Sequence, residues 1–205
     1  MPSIYDIKPA FQNMLRPMTR SFAAAGITAN QVTITAALLS CVLGGCVMRF
    51  PLEDWPLLAM PAFLFVRMAL NAVDGMLARE HGMKTKLGAI LNEVGDVVSD
   101  TALYLPLALV PGFAPRLIVI DVVLAVIAEM TGVVAVQIGG SRRYDGPMGK
   151  SDRAFVFGLL ALLTGLGALS ERWATGTLVV IGVLLGVTII NRARRALVEI
   201  DAKNT

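Results

Sequence analysis

Of the 205 residues, 56% are hydrophobic and only 16% charged, against the roughly 25% charge of soluble domains. Apolar runs spread over nearly the whole length, so the chain reads as one all-α, polytopic membrane domain with no room for a separate soluble domain. The net charge of +3 does not point to nucleic acid, because the basic residues are distributed as membrane topology demands.

The first apolar run starts only at Ala29, and the segment before it lacks the apolar core and small-residue cleavage site of a signal peptide. In that segment Ile4, Ile7, Phe11, Met14, Leu15, Met18 and Phe22 recur at helical spacing, with Lys8, Arg16 and Arg20 between them and Pro9 and Pro17 interrupting. This predicts an amphipathic helix over 3–24, lying in the membrane interface or packed on cytoplasmic loops.

Apolar stretches near 20 residues then predict six spans, at Ala29 to Phe50, Trp55 to Ala78, Lys86 to Leu109, Leu117 to Ile138, Arg153 to Leu169 and Thr175 to Ile190. The spans occupy 29–193, and 194–205 forms a tail. Cys41 and Cys46 fall on different faces of the first span, where a mutual disulfide is implausible and a packing role is expected. Arg79, Lys84, Lys86, Arg142, Arg143, Lys150, Arg153, Arg192, Arg194 and Arg195 share the side of the termini, whereas Arg49, Arg116 and Arg172 lie opposite. By the positive-inside rule both termini are cytoplasmic.

Charged residues inside spans are costly unless they face one another or a water-filled cavity. In the second span Arg67, Asn71 and Asp74 form one helical stripe; in the third, Gly88, Asn92, Asp96 and Asp100 recur every four residues, with Glu93 beside them. A short loop joins these helices, so they are expected to be antiparallel neighbours with Asn71 and Asp74 facing Asn92 and Asp96. Asp and Asn without His or Cys form the ligand set of a hard cation such as Mg²⁺ or Mn²⁺. With Arg79, Lys84, Lys86, Arg142, Arg143, Lys150 and Arg153 at the rim, that set points to phosphoryl chemistry. The structural alternative is that Asp74 and Asp96 simply pair with Arg67 or Arg79. For the loop arginines it is a purely topogenic role. Asp121 and Glu129 are isolated acids in the fourth span.

The stretch Asn71-Ala72-Val73-Asp74-Gly75-Met76-Leu77-Ala78-Arg79, then eight residues, then Gly88-Ala89-Ile90-Leu91-Asn92-Glu93-Val94-Gly95-Asp96 resembles the CDP-alcohol phosphotransferase signature, D-x2-D-G-x2-A-R-x8-G-x3-D-x3-D. Asp74, Gly75, Ala78, Arg79, Gly88 and Asp96 match it, whereas Asn71 and Asn92 replace its first and third aspartates. Thr28-Ala29-Asn30-Gln31-Val32-Thr33 is similar to the family's T-P-N-x-[IL]-T, with alanine for proline, and the loop from Arg142 to Arg153 is similar to its basic loop. The asparagine substitutions resemble those of a bacterial inner-membrane subgroup.

The resemblance implies a transferase that moves a substituted phosphate from CDP-diacylglycerol or a related donor to a small alcohol or its phosphorylated form, and releases CMP. It implies divalent cations at positions 71, 74, 92 and 96, with Asp96 also the general base. Asp74, Gly75, Ala78, Arg79 and Gly88 would bind nucleotide and pyrophosphate. A homodimer in a bacterial-type inner membrane is implied too. Arg67, Arg142, Arg143, Lys150 and Arg153 are candidates for acceptor or phosphate binding. Two neutral amides weaken the hold on dications, which Glu93 or Asp100 can compensate. An active transferase, a non-catalytic CDP-lipid or partner binder, and an ion-coupled transporter or channel therefore all stay open.

Overall fold

The computed structural model describes residues 4–204, with side chains from 10 to 203. Among these residues the chain forms α1 (Ile4–Ala24), α2 (Ala29–Arg49), α3 (Trp55–Glu80), α4 (Lys86–Tyr104), α5 (Pro115–Gln137), α6 (Lys150–Gly165) and α7 (Glu171–Asn204), with a 3-10 helix at Leu105–Leu109 after α4. Of the six expected spans, α2, α3, α5 and α7 are long and apolar enough to cross a membrane. Helix α4 carries the acidic stripe, and the 16 residues of α6 reach only about 24 Å, short of a ~30 Å hydrocarbon core.

Local chemistry sets these boundaries. The Thr28 hydroxyl accepts from the Gln31 backbone N–H at 3.3 Å, and the Gln31 side chain accepts from Thr28 N–H at 2.8 Å, a reciprocal cap that starts α2. Thr85 starts α4 by accepting from Gly88 N–H at 2.9 Å. At the end of α1, Gly26 adopts φ +75°, and Ile27 N–H returns to the Phe22 carbonyl at 2.9 Å, turning the chain from α1 into α2.

Helix α1 occupies the segment expected to be helical and runs through Pro9 and Pro17. Its face at Phe11, Leu15, Met18 and Phe22 packs with Val73, Met76 and Leu77 of α3, while Met14 stays exposed. The side chains of Ile4, Ile7 and Lys8 lie outside the described residues. Helix α7 does not stop near Ile190: the expected tail is its last turns. Cys46 is partly buried, but Cys41 is exposed rather than packed, and both are free.

The bundle is organised about α2 and α3. Helix α2 packs on both α3 and α4, α3 also packs on α1 and α6, and α5 packs on α7 and the 3-10 helix. Helices α3 and α4 face each other as expected, but their backbones barely touch, and polar side chains bridge the gap. In the half away from the termini, Leu57, Leu107, Ile118, Leu160, Ala161 and Leu178 close the core, and Tyr104 stacks on Phe157 with ring centroids 4.3 Å apart. The α3/α4 gap is therefore left at the end carrying the termini.

Because lipid rewards close contact rather than removal from water, small residues decide helix approach. A Cβ at Gly44 would overlap the Ala102 carbonyl oxygen of α4. Gly44→Val is expected to cost about 1–3 kcal/mol, read as a lowered unfolding temperature in detergent.

Candidate functional site

Asn71, Asp74, Gly75 and Arg79 of α3 and Asn92, Glu93 and Asp96 of α4 line one cavity of about 540 Å³. Glu129, Arg142, Tyr144, Lys150 and Arg192 complete its wall. A second cavity of about 250 Å³ shares Asp74, Gly75, Arg79 and Asn92, and adds Asn30, Ala78, Lys84 and Gly88. Together they form one polar cleft of the size small-molecule sites use.

Helix periodicity places these side chains, and neighbouring elements then fix them. Thr33, from the α2 motif, donates to Asp74 Oδ2 at 2.7 Å. Asn71 Nδ2 donates to Asp96 Oδ1 at 3.4 Å, and Lys150 Nζ donates to Asp96 Oδ2 at 2.7 Å. Arg67 Nη2 lies 3.5 Å from Asp96 Oδ1. The positions where Cβ would intrude are glycine: at Gly88 it would meet Asn30 Oδ1 at 2.6 Å, and at Gly75 the Arg79 guanidinium at 3.0 Å.

Below the cleft lies a buried ion network. Asp100 accepts from Arg67 Nη1 at 2.6 Å through one oxygen and from Arg153 Nη2 at 2.7 Å through the other. Glu129 accepts from Arg153 at 2.9 Å and Arg142 at 2.7 Å, and Arg192 Nη1 sits 3.2 Å from it. Arg142 also forks onto Glu93, with both contacts at 2.9 Å, and its Nη1 donates to the Arg143 carbonyl. Burial works against charge on Arg142, but the bonds to Glu93 and Glu129 outweigh it and raise its pKa. In the same loop burial opposes the Asp145 carboxylate, yet Arg143 holds it below the usual carboxylate range.

Not all the candidates reach the cleft. Asn71, Asp74, Gly75, Arg79, Asn92, Glu93, Asp96, Arg142 and Lys150 line the larger cavity, and Ala78 and Gly88 line the smaller. Arg67, Asp100 and Arg153 lie beneath it, each less than 10% exposed and ion-paired to one another. Arg143 borders a separate depression with Arg194, Arg195 and Glu199. Two participants were not expected from the sequence. Glu129, read as a lone acid, is the hub of three arginines, and Arg192, read as topogenic, donates to the Ala128 carbonyl. Only the Thr28–Thr33 motif hinted at the Thr33 contact.

Of the carboxylates Asp74, Glu93, Asp96, Asp100 and Glu129, the last four are ion-paired with Arg67, Arg142, Lys150, Arg153 and Arg192. Among these carboxylates Asp74 alone has no ion pair within the described residues. No cluster of three or more His, Cys, Asp or Glu side chains that could hold a metal occurs among the described residues. The oxygen donors of Asp74 and Asn92, which line one cavity, fit Mg²⁺ or Mn²⁺, ions that bind through one or two carboxylates plus substrate phosphate and water. Such a cleft can hold a diphosphate whose charge is met by Arg79 and a hard cation.

Comparison with known proteins places this geometry. Residues 26–188 match the model of the CDP-alcohol phosphatidyltransferase family. The chain is 43% identical over 195 residues to the inner membrane protein YnbA of Escherichia coli, covering 95% of this chain and 96% of that one. It is 25% identical over 201 residues to the phosphatidylinositol phosphate synthase of Mycolicibacterium smegmatis, covering 94% of this chain and 88% of that one. In fold it superposes on the Mycobacterium tuberculosis phosphatidylinositol phosphate synthase crystallised with CDP-DAG bound, with TM-score 0.74 and 20% identity over 88% of this chain and 92% of that one. A second structure of that synthase, in complex with manganese and citrate, gives TM-score 0.74 and 20% identity, covering 88% of each chain. The seven α-helices among the described residues, the polar cleft and the family match over residues 26–188 together make this chain an integral membrane protein that belongs to the CDP-alcohol phosphatidyltransferase family.

Proposed function

We propose that this protein transfers a phosphatidyl group from CDP-diacylglycerol to a small alcohol and releases CMP, at the cytoplasmic side of a bacterial-type inner membrane. The observation that carries the reading is the adjacency of two environments. The polar cleft of Asp74, Asp96, Arg79 and Lys150 meets, at Ser151, an apolar groove of about 420 Å³ lined by Pro61, Leu64, Phe65, Met68, Ala154, Phe155 and Leu159. A diphosphate suits the first and an acyl chain the second. Helices α4 and α6 complete six spans over 29–193, with both termini on the cytoplasmic, arginine-rich side.

The donor diphosphate lies along the α3 stripe, with its oxygens toward Arg79 and Lys150 and the nucleotide in the smaller cavity against Gly75, Ala78 and Gly88. Asp74, with Asn92 across the cleft, would hold the divalent ion. Once bound, it withdraws charge from the diphosphate oxygens and stabilises CMP as leaving group. The acceptor hydroxyl oxygen forms a bond to the phosphorus bearing the diacylglycerol. The bond from that phosphorus to the bridging oxygen breaks, and CMP leaves with the electron pair. The hydroxyl proton passes to Asp96 Oδ1, whose own contacts are long, at 3.4 and 3.5 Å, while Oδ2 stays on Lys150. Arg142, fixed by Glu93 and Glu129, and Lys150 face the acceptor side. Arg67 and Arg153 support the site through Asp100. The apolar closure of the outer half by Leu107, Ile118, Leu160 and Leu178 disfavours an ion path.

The test supplies the purified full chain, in liposomes, with labelled CDP-diacylglycerol and a pool of polyols, amino alcohols and their phosphates. CMP release that needs Mg²⁺ or Mn²⁺, with a new lipid identified by mass spectrometry, is the expected outcome. Donor binding without turnover on any acceptor would leave a non-catalytic binder, and ion flux without nucleotide would favour a transporter.

A further inference from the structure

We propose that Lys150 fills a second cation position in the cleft, so that the protein works with a single divalent ion, held at Asp74. This rests on the reading of the cleft as a cation-dependent diphosphate site.

The argument is one of charge and position. Asp96 already faces two protein cations, with the Lys150 ammonium 2.7 Å from Oδ2 and the Arg67 guanidinium 3.5 Å from Oδ1. A dication beside it would put four positive charges around one carboxylate. Asn71 turns an amide donor toward Asp96 at 3.4 Å, which hinders a metal on that side. Asn92 supplies a neutral oxygen where a carboxylate would be needed to offset the repulsion. Asp74 differs: among the described residues its side chain accepts from the Thr33 hydroxyl at 2.7 Å and forms no ion pair. Lys150 is also fixed in place. It is the first residue of α6, a helix start held by Asp152 Oδ2 accepting from Gly149 N–H at 2.9 Å. Its side chain is 32% exposed, open to the cleft and able to reach a phosphate oxygen from the carboxylate it holds. A strongly hydrated point charge with three donors can bridge carboxylate and phosphate much as a metal ion does.

The experiment measures Mn²⁺ bound by the purified full chain in nanodiscs containing CDP-diacylglycerol, by equilibrium dialysis and electron paramagnetic resonance, beside CMP release. Wild type is expected to bind one Mn²⁺ per chain with the six-line spectrum of an isolated ion. The Asn71→Asp/Asn92→Asp/Lys150→Gln variant is expected to double the stoichiometry and give the broadened spectrum of a coupled pair. Two coupled ions in wild type that releases CMP would overturn this inference and leave the transferase reading standing. No bound ion and no CMP release would overturn the transferase reading beneath it. Should the triple variant fail to fold, the wild-type stoichiometry and spectrum still decide, and Lys150→Arg, which keeps the charge, must retain one ion.

Discussion

Asp96→Asn is expected to lower CMP release by about 10²–10⁴-fold, the range by which a positioned acid or base accelerates proton transfer, while CDP-diacylglycerol still binds. The side chain sits where three demands meet. Oδ2 anchors Lys150 at 2.7 Å, Oδ1 faces Asn71 and Arg67 through longer contacts, and the cavity it lines also holds Asp74 and Arg142. An amide keeps the size and much of the hydrogen bonding but cannot take a proton. Turnover should therefore fall far more than donor affinity, and the measurement is kcat against KM for the donor in liposomes. Equal losses in both would mean that Asp96 only orders the cleft.

The second large effect is on stability. Asp100 uses both oxygens on buried guanidiniums, and its side chain is 7% exposed, against 3% for Arg67 and 1% for Arg153. Asp100→Leu removes the carboxylate that two buried cations share, leaving Arg67 the longer contact to Asp96 and Arg153 the one to Glu129, and removing one partner of a buried pair costs about 3–5 kcal/mol. Denaturation in detergent should show a loss of that order. The double variant Asp100→Leu/Arg67→Met should recover part of it, because one orphaned charge goes with its partner. A contrasting pair lies at the surface: Arg16 and Glu80 meet at 3.1 Å but are over a third exposed. Arg16→Ala should hardly move the same curve, since solvent screens an exposed pair.

Much of the cleft was legible because its spacing is periodic. Asn71 and Asp74, like Asn92 and Asp96, share a helical face whatever the tertiary structure, and a buried carboxylate stripe in lipid needs a partner. The signature Asp74-Gly75 to Asp96 fixed the register. What the sequence did not disclose depends on contacts between distant segments. Asp100 meets Arg153 across 53 residues, and nothing local marks Glu129 as the meeting point of three arginines. The short loop between α3 and α4 pointed to facing helices, but not to α2, which lies against both and so leaves the gap that forms the cleft. Pro9 and Pro17 leave α1 unbroken, whereas Pro106 follows the end of α4 in the 3-10 helix. The extension of α7 past Ile190 escaped because its last turns exchange a lipid-like composition for a charged one without losing helix, aided by Lys203 on Glu199 one turn away at 2.9 Å.

The most direct test of the shared pocket is the anomalous signal of Mn²⁺ in a crystal of the protein grown with CDP-diacylglycerol. The ion should lie between α3 and α4, at about 2.0–2.6 Å from an Asp74 carboxylate oxygen, the range for hard cations, with the diphosphate against Arg79 and Lys150. A nucleotide bound outside this cleft, or Mn²⁺ found only on the exposed surface, would contradict the account.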